Sequence, residues 1–76
     1  MITVLHTNTV FESNCHPWRV TISIPENPVF FNKEYSTHIE CLPTDAPAYK
    51  VSGHYDMNLS DAVVSMHSRY KGLSGK

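Results

Sequence analysis

The sequence predicts an α+β fold: a three- or four-stranded antiparallel meander with one C-terminal helix packed on one face. Three observations carry this. Residues 18–24 alternate apolar and polar with the period of a strand. Residues 35–57 fold back across a turn in a register that matches like with like. Residues from 59 onward carry the start signal, stripe and stop signal of a helix.

In the first strand Trp18, Val20, Ile22 and Ile24 fall on one face, and Arg19, Thr21 and Ser23 on the other. Pro25 ends it, and Glu26-Asn27-Pro28 supplies a turn. The second strand runs from Tyr35 to Leu42, with Tyr35, Thr37, Ile39 and Cys41 on one face and Ser36, His38, Glu40 and Leu42 on the other. Pro43 to Pro47 then turns the chain. The third strand, Ala48 to Met57, places Tyr49, Val51, Gly53, Tyr55 and Met57 on a common face. A hairpin centred on Asp45 sets Tyr49 against Cys41, Val51 against Ile39 and Tyr55 against Tyr35. It also sets Lys50 against Glu40 on the polar face. Gly53 marks a bulge or a close approach of the helix.

The helix is expected over Leu59 to Lys71. Its stripe is Leu59, Ala62, Val63, Met66 and Tyr70. Asn58 is the N-cap, with Asp61 three residues on. Gly72 fits a left-handed C-terminal position, and Leu73 the apolar residue after it. Ile2, Val4 and His6 suggest a fourth strand near the start, and Glu12 to Pro17 reads as a loop.

The chain has 76 residues, which is one domain, 1–76, with a thin core. Hydrophobic residues at 41% against 17% charged residues argue for folding rather than disorder. The net charge of −1 lacks the positive excess that phosphate binding needs. No apolar run can span a membrane. Cys15 and Cys41 read as thiols in a reducing cytoplasm.

Chemistry-bearing residues are scattered. His6, His16, His38, His54 and His67 stand with the two cysteines, but His38 and Cys41 point to opposite faces of a strand, and no paired Cys-x-x-Cys occurs. His38 and His54 are expected on the polar face near Ser36, Ser52, Glu40 and Asp56. That places two imidazoles beside carboxylates, either for metal binding or acid–base work, or as a solvated surface. The solvated surface is favoured. No nucleophile elbow and no glycine-rich phosphate loop are present, so catalytic residues, metal and cofactor are all expected to be none.

The strand–strand–strand–helix order resembles that of the double-stranded-RNA-binding domain over roughly the last forty residues. That family opens its final helix with a lysine cluster. The matching stretch here is Leu59-Ser60-Asp61-Ala62-Val63, so the resemblance does not bring RNA binding with it.

What remains is a small non-enzymatic protein-interaction module. Its contact surface is sought at Phe30 and Phe31, and at Glu40, Lys50, His38 and His54 on the polar face. Such a module suits a phage or mobile-element accessory protein that blocks or redirects a host complex, with Glu26, Glu34, Glu40 and Asp56 imitating a polyanion. A homodimer through an edge strand stays open. Nucleic-acid binding through Arg19, Lys33, Lys50, Arg69 and Lys71 is the alternative, and a histidine-based or metal-binding activity the second alternative.

Overall fold

The computed structural model describes residues 2–11, 16–30 and 32–74, with the side chains of 73 and 74 left aside. The elements are β1 (Ile2–His6), β2 (Trp18–Ile24), β3 (Tyr35–Cys41), β4 (Tyr49–Met57) and α1 (Leu59–Ser74). The strands form one antiparallel sheet in the order β1-β2-β3-β4, a meander. The helix packs on one face of it, against β2, β3 and β4. The α+β fold is therefore as expected, with four strands.

The core follows from the alternation in β2. Trp18, Val20 and Ile22 are buried beneath Ala62 and Met66 of α1, with Tyr35, Ile39, Met57, Val63 and Tyr70 packed around them. Each fully buried aliphatic side chain contributes about 1.5–3 kcal/mol relative to exposure. The N-cap is also as expected: the Asp61 N–H donates to Asn58 Oδ1 at 2.8 Å, and the Ala62 N–H to the Asn58 carbonyl at 2.9 Å. At the other end the helix runs on to Ser74, and neither described glycine has a positive φ. Gly72 is thus helical rather than a left-handed stop. A Cβ at this position would meet nothing within 4 Å. Leu59, expected to lead the stripe, is exposed. The stop-signal role of the Leu73 side chain lies outside the described residues, as do Cys15 and the loop from Glu12.

The hairpin register holds and then departs. Cys41 pairs with Tyr49, Glu40 with Lys50 and Ile39 with Val51, as the turn at Asp45 dictates. Beyond that point β4 carries an extra residue twice. Thr37 pairs with His54 rather than Gly53, and Tyr35 pairs with Met57 rather than Tyr55. Each slip has a left-handed residue beside it, Ser52 at φ 58° and Asp56 at φ 60°, as bulges with a left-handed residue do. One slip exchanges the faces of everything after it, and the second restores them. Met57 therefore returns to the helix side, while Tyr55 and His54 have traded places.

Arg69 holds the first bulge. Its guanidinium donates to the Thr37 carbonyl and to Thr37 Oγ1, each at 3.2 Å, and closely to the Ser52 carbonyl. Thr37 is fully buried and also meets Ser65 Oγ at 3.2 Å. A bulge leaves backbone groups outside the ladder, and here a planar cation from the helix collects them.

Arg69→Met keeps the hydrophobic stem and removes the donors. It should lower the unfolding free energy by about 1–3 kcal/mol, read from urea denaturation. Unchanged stability would show that Arg69 does not hold the bulge.

Candidate interaction surface

Thr3 pairs with Ser23, and Ser23 with Ser36; Thr21 lies opposite His38, and Arg19 opposite Glu40. These residues share the face turned away from the helix, the face expected to be solvated. Its centre is instead closed. Thr21 is 0% exposed and His38 only 7%, and Ser23 and Ser36 are buried with them.

Two side chains from β4 close it. Lys50 Nζ donates to Thr3 Oγ1 at 2.9 Å and to Ser23 Oγ at 3.1 Å. β4 and β1 are the outer strands of the sheet, about 14 Å apart if it were flat. A lysine's four-carbon stem cannot span that, so the two edges curl toward each other over this face. Tyr55, turned onto this side by the bulge, sets its hydroxyl 3.0 Å from His38 Nε2, the rings meeting edge-on. Gly53 lies directly beneath. A Cβ there would sit 2.6 Å from His38 Nε2 and closer still to the Tyr55 hydroxyl. Gly53 thus lies at the bulge expected there, and the close approach it allows comes from Tyr55 and His38 rather than from the helix.

The sequence-predicted site residues are scattered by this arrangement. His38 is buried. His54 is exposed, on the opposite face, level with Thr37, so the two imidazoles do not form one site. Glu40 is drawn into a half-buried ion pair with Arg19, Nε to Oε1 at 2.6 Å, rather than with Lys50. Phe30 is exposed, and Phe31 lies outside the described residues. Of the cations considered for nucleic acid, Arg19, Lys50 and Arg69 are all engaged within the fold. Of the carboxylates considered for polyanion mimicry, Glu34 and Glu40 are engaged as well. Among the described residues no group of three or more His, Cys, Asp or Glu could hold a metal. No helix among them is long and apolar enough to cross a membrane.

Among the described residues, an exposed apolar pair is held by a hydrogen-bonded frame at the β2–β3 turn. Val29 is 78% exposed and Phe30 65%. Both are held from within the turn. Glu34 Oε2 accepts the Val29 N–H at 2.6 Å and the Phe30 N–H at 3.3 Å, and the Lys33 N–H donates to the Phe30 carbonyl at 3.3 Å. Asn32 takes the left-handed position, φ 58°, which asparagine tolerates. Its Oδ1 accepts the N–H of Leu59 at 3.0 Å, tying the turn to the start of α1. Sequence reasoning found Phe30 but missed Glu34 and Asn32 as the parts that fix it. The signal was an acidic residue closing a proline-led turn, with asparagine inside it. Phe11 is also exposed, beside the Val10–Trp18 bridge.

The buried imidazole gives the fold a pH dependence. Burial first, then the charges of Lys50 and Arg69, hold His38 below its ordinary value. Nδ1 is buried with no partner among the described residues. A neutral ring with Nε2–H donating to the Tyr55 oxygen leaves only a lone pair unsatisfied at Nδ1. Because the folded state resists protonation, the unfolded chain binds the proton first. Stability is full above the unfolded value of about 6.5 and falls as pH drops below it toward the lower folded value. Denaturation midpoints should decline as pH falls below about 6.5, and His38→Gln should flatten that decline. A parent and variant with parallel profiles would contradict it.

Comparison with protein-family models, with curated proteins and with solved structures finds no match to this chain.

Proposed function

We propose that this chain is a non-enzymatic protein-interaction module that docks on another protein through the Val29–Phe30 turn. The observation that carries the reading is an adjacent aliphatic and aromatic pair, turned outward, whose backbone N–H groups are both held by one carboxylate, Glu34. An exposed ring on a loose loop would lose much of its binding energy in being ordered. A ring on a hydrogen-bonded turn has met that cost during folding. Burying a phenylalanine in a partner's pocket contributes about 1.5–3 kcal/mol, the scale of an interface hot spot.

The closure of the polar face supports the same surface. With His38 enclosed, Glu40 paired and Lys50 folded across the sheet, that face offers little to a partner. A module of this kind acts by occupancy, as an accessory protein of a phage or mobile element does when it blocks or redirects a host complex. The reading takes the chain as cytoplasmic, in keeping with the free, half-buried thiol of Cys41.

A second reading, self-association, is favoured by β1. It is an outer strand with no Lys, Arg, Asp or Glu, and its Ile2, Val4 and Leu5 are all exposed. Pairing of two copies through β1 predicts a concentration-dependent dimer in sedimentation equilibrium, weakened by Val4→Lys. A monomer at millimolar concentration would exclude it.

Capture from the native host tests the main reading. Phe30→Ala should leave melting unchanged and lower retention of the partner at least tenfold, a loss of about 1.4 kcal/mol. Glu34→Ala should lower it less, by loosening the turn. If Val29→Ala with Phe30→Ala captures the same protein as the parent with equal yield, the turn is not the contact.

A further inference from the structure

A depression of about 290 Å³ lies between the β1–β2 connection and α1, lined by His6, Thr7, Asn8, Met66, His67 and Tyr70. It takes no part in the docking turn. Both walls are fixed by the fold. The Thr7 N–H donates to the Val20 carbonyl at 2.9 Å, and the Val20 N–H to Thr7 Oγ1 at 3.0 Å. Val10 and Trp18 exchange backbone bonds of 2.7 and 3.1 Å just beyond. On the helix side Met66 is core, and Tyr70 packs on Trp18 with ring centroids 6.2 Å apart.

The two histidines enter from different elements, His6 from the end of β1 and His67 from the middle of α1, and both are exposed. His6 Nδ1 lies 2.8 Å from the Thr7 carbonyl oxygen. A carbonyl only accepts, so the hydrogen sits on Nδ1 and the lone pair of the neutral ring on Nε2. Metal-ligating histidines are oriented in this way, the second ring nitrogen donating to a backbone carbonyl or carboxylate.

We propose that His6 and His67 form a two-imidazole clip for a late first-row divalent cation of the Zn²⁺ class, joining β1 to α1. Neutral imidazole is a good ligand for Zn²⁺, Ni²⁺ and Cu²⁺ and a poor one for Mg²⁺. With two protein nitrogens the remaining positions are taken by water. The clip supplies a link that the fold lacks, because α1 packs on β2, β3 and β4 and makes no comparable contact with β1. Binding to the folded state alone would stabilise it by mass action.

Titration of the purified full chain with ZnCl₂, followed by calorimetry and thermal melting, tests this. One Zn²⁺ should bind per chain, and the melting temperature should rise by at least about 10 °C at about a hundredfold excess over Kd. MgCl₂ should give neither effect. His6→Ala and His67→Ala, both at exposed positions, should each weaken Zn²⁺ binding at least tenfold, while His16→Ala and His54→Ala should not. Absence of binding heat, full affinity in the His6 and His67 variants, or a loss confined to the His16 or His54 variant would overturn the proposal.

Discussion

The grip of Arg69 on the bulged stretch of β4 is the interaction on which the rest of this structure depends. A strand that inserts one extra residue leaves backbone groups outside the ladder and takes a left-handed residue at Ser52. The left-handed region disfavours a residue with a Cβ by roughly 1–2 kcal/mol. Arg69 offsets that by binding the Ser52 carbonyl and the Thr37 carbonyl and hydroxyl together. Burial lowers the basicity of its guanidinium. A guanidinium nevertheless keeps its charge at any physiological pH, so the anchor does not titrate there.

The bulge decides which surfaces are available. It turns Tyr55 away from the helix side and over His38, where only the absence of a side chain at Gly53 leaves room. It turns His54 the other way, into solvent. Lys50 completes the closure from the same strand by reaching Thr3 and Ser23. The sheet thus has an apolar interior under the helix and a polar interior on its other side. The polar one is stabilised by charge-assisted hydrogen bonds rather than by apolar burial. A chain this small has few ways to cover a second face, and curling its edges together does so without further elements. The outward-facing apolar residues of the β2–β3 turn are then the most organised feature left on the exterior.

Legibility in the sequence followed periodicity and ended where periodicity was broken. β2 was readable because Trp18, Val20 and Ile22 face one buried layer without interruption. The first half of the β3–β4 hairpin was readable because the Asp45 turn and the Glu40–Lys50 pair agree. The helix start was readable from Asn58. Gly53 offered a bulge at its own position, but the second bulge beside Asp56 and the exchange of faces between the two were hidden, because the two slips cancel. Met57 ends on the face that simple alternation assigns to it, so the pattern looks intact although Gly53, His54 and Tyr55 between them are displaced. Neither Ser52 nor Asp56 is glycine, the usual mark of a left-handed position, and the Arg69 contact that stabilises Ser52 comes from a residue 17 positions away. The candidate turn was half legible. Phe30 could be picked out as an exposed ring, but the roles of Glu34 and Asn32 depend on how a turn folds on itself, which alternation does not encode.

The double slip in β4 is therefore the claim that carries the others, since it encloses His38, frees His54 and leaves the β2–β3 turn as the organised exterior. Cross-strand nuclear Overhauser contacts along β3 and β4 of the protein in solution test it most directly. The account predicts contacts that pair Thr37 with His54 and Tyr35 with Met57. Contacts pairing Thr37 with Gly53 and Tyr35 with Tyr55, the register of an unbroken hairpin, would contradict it.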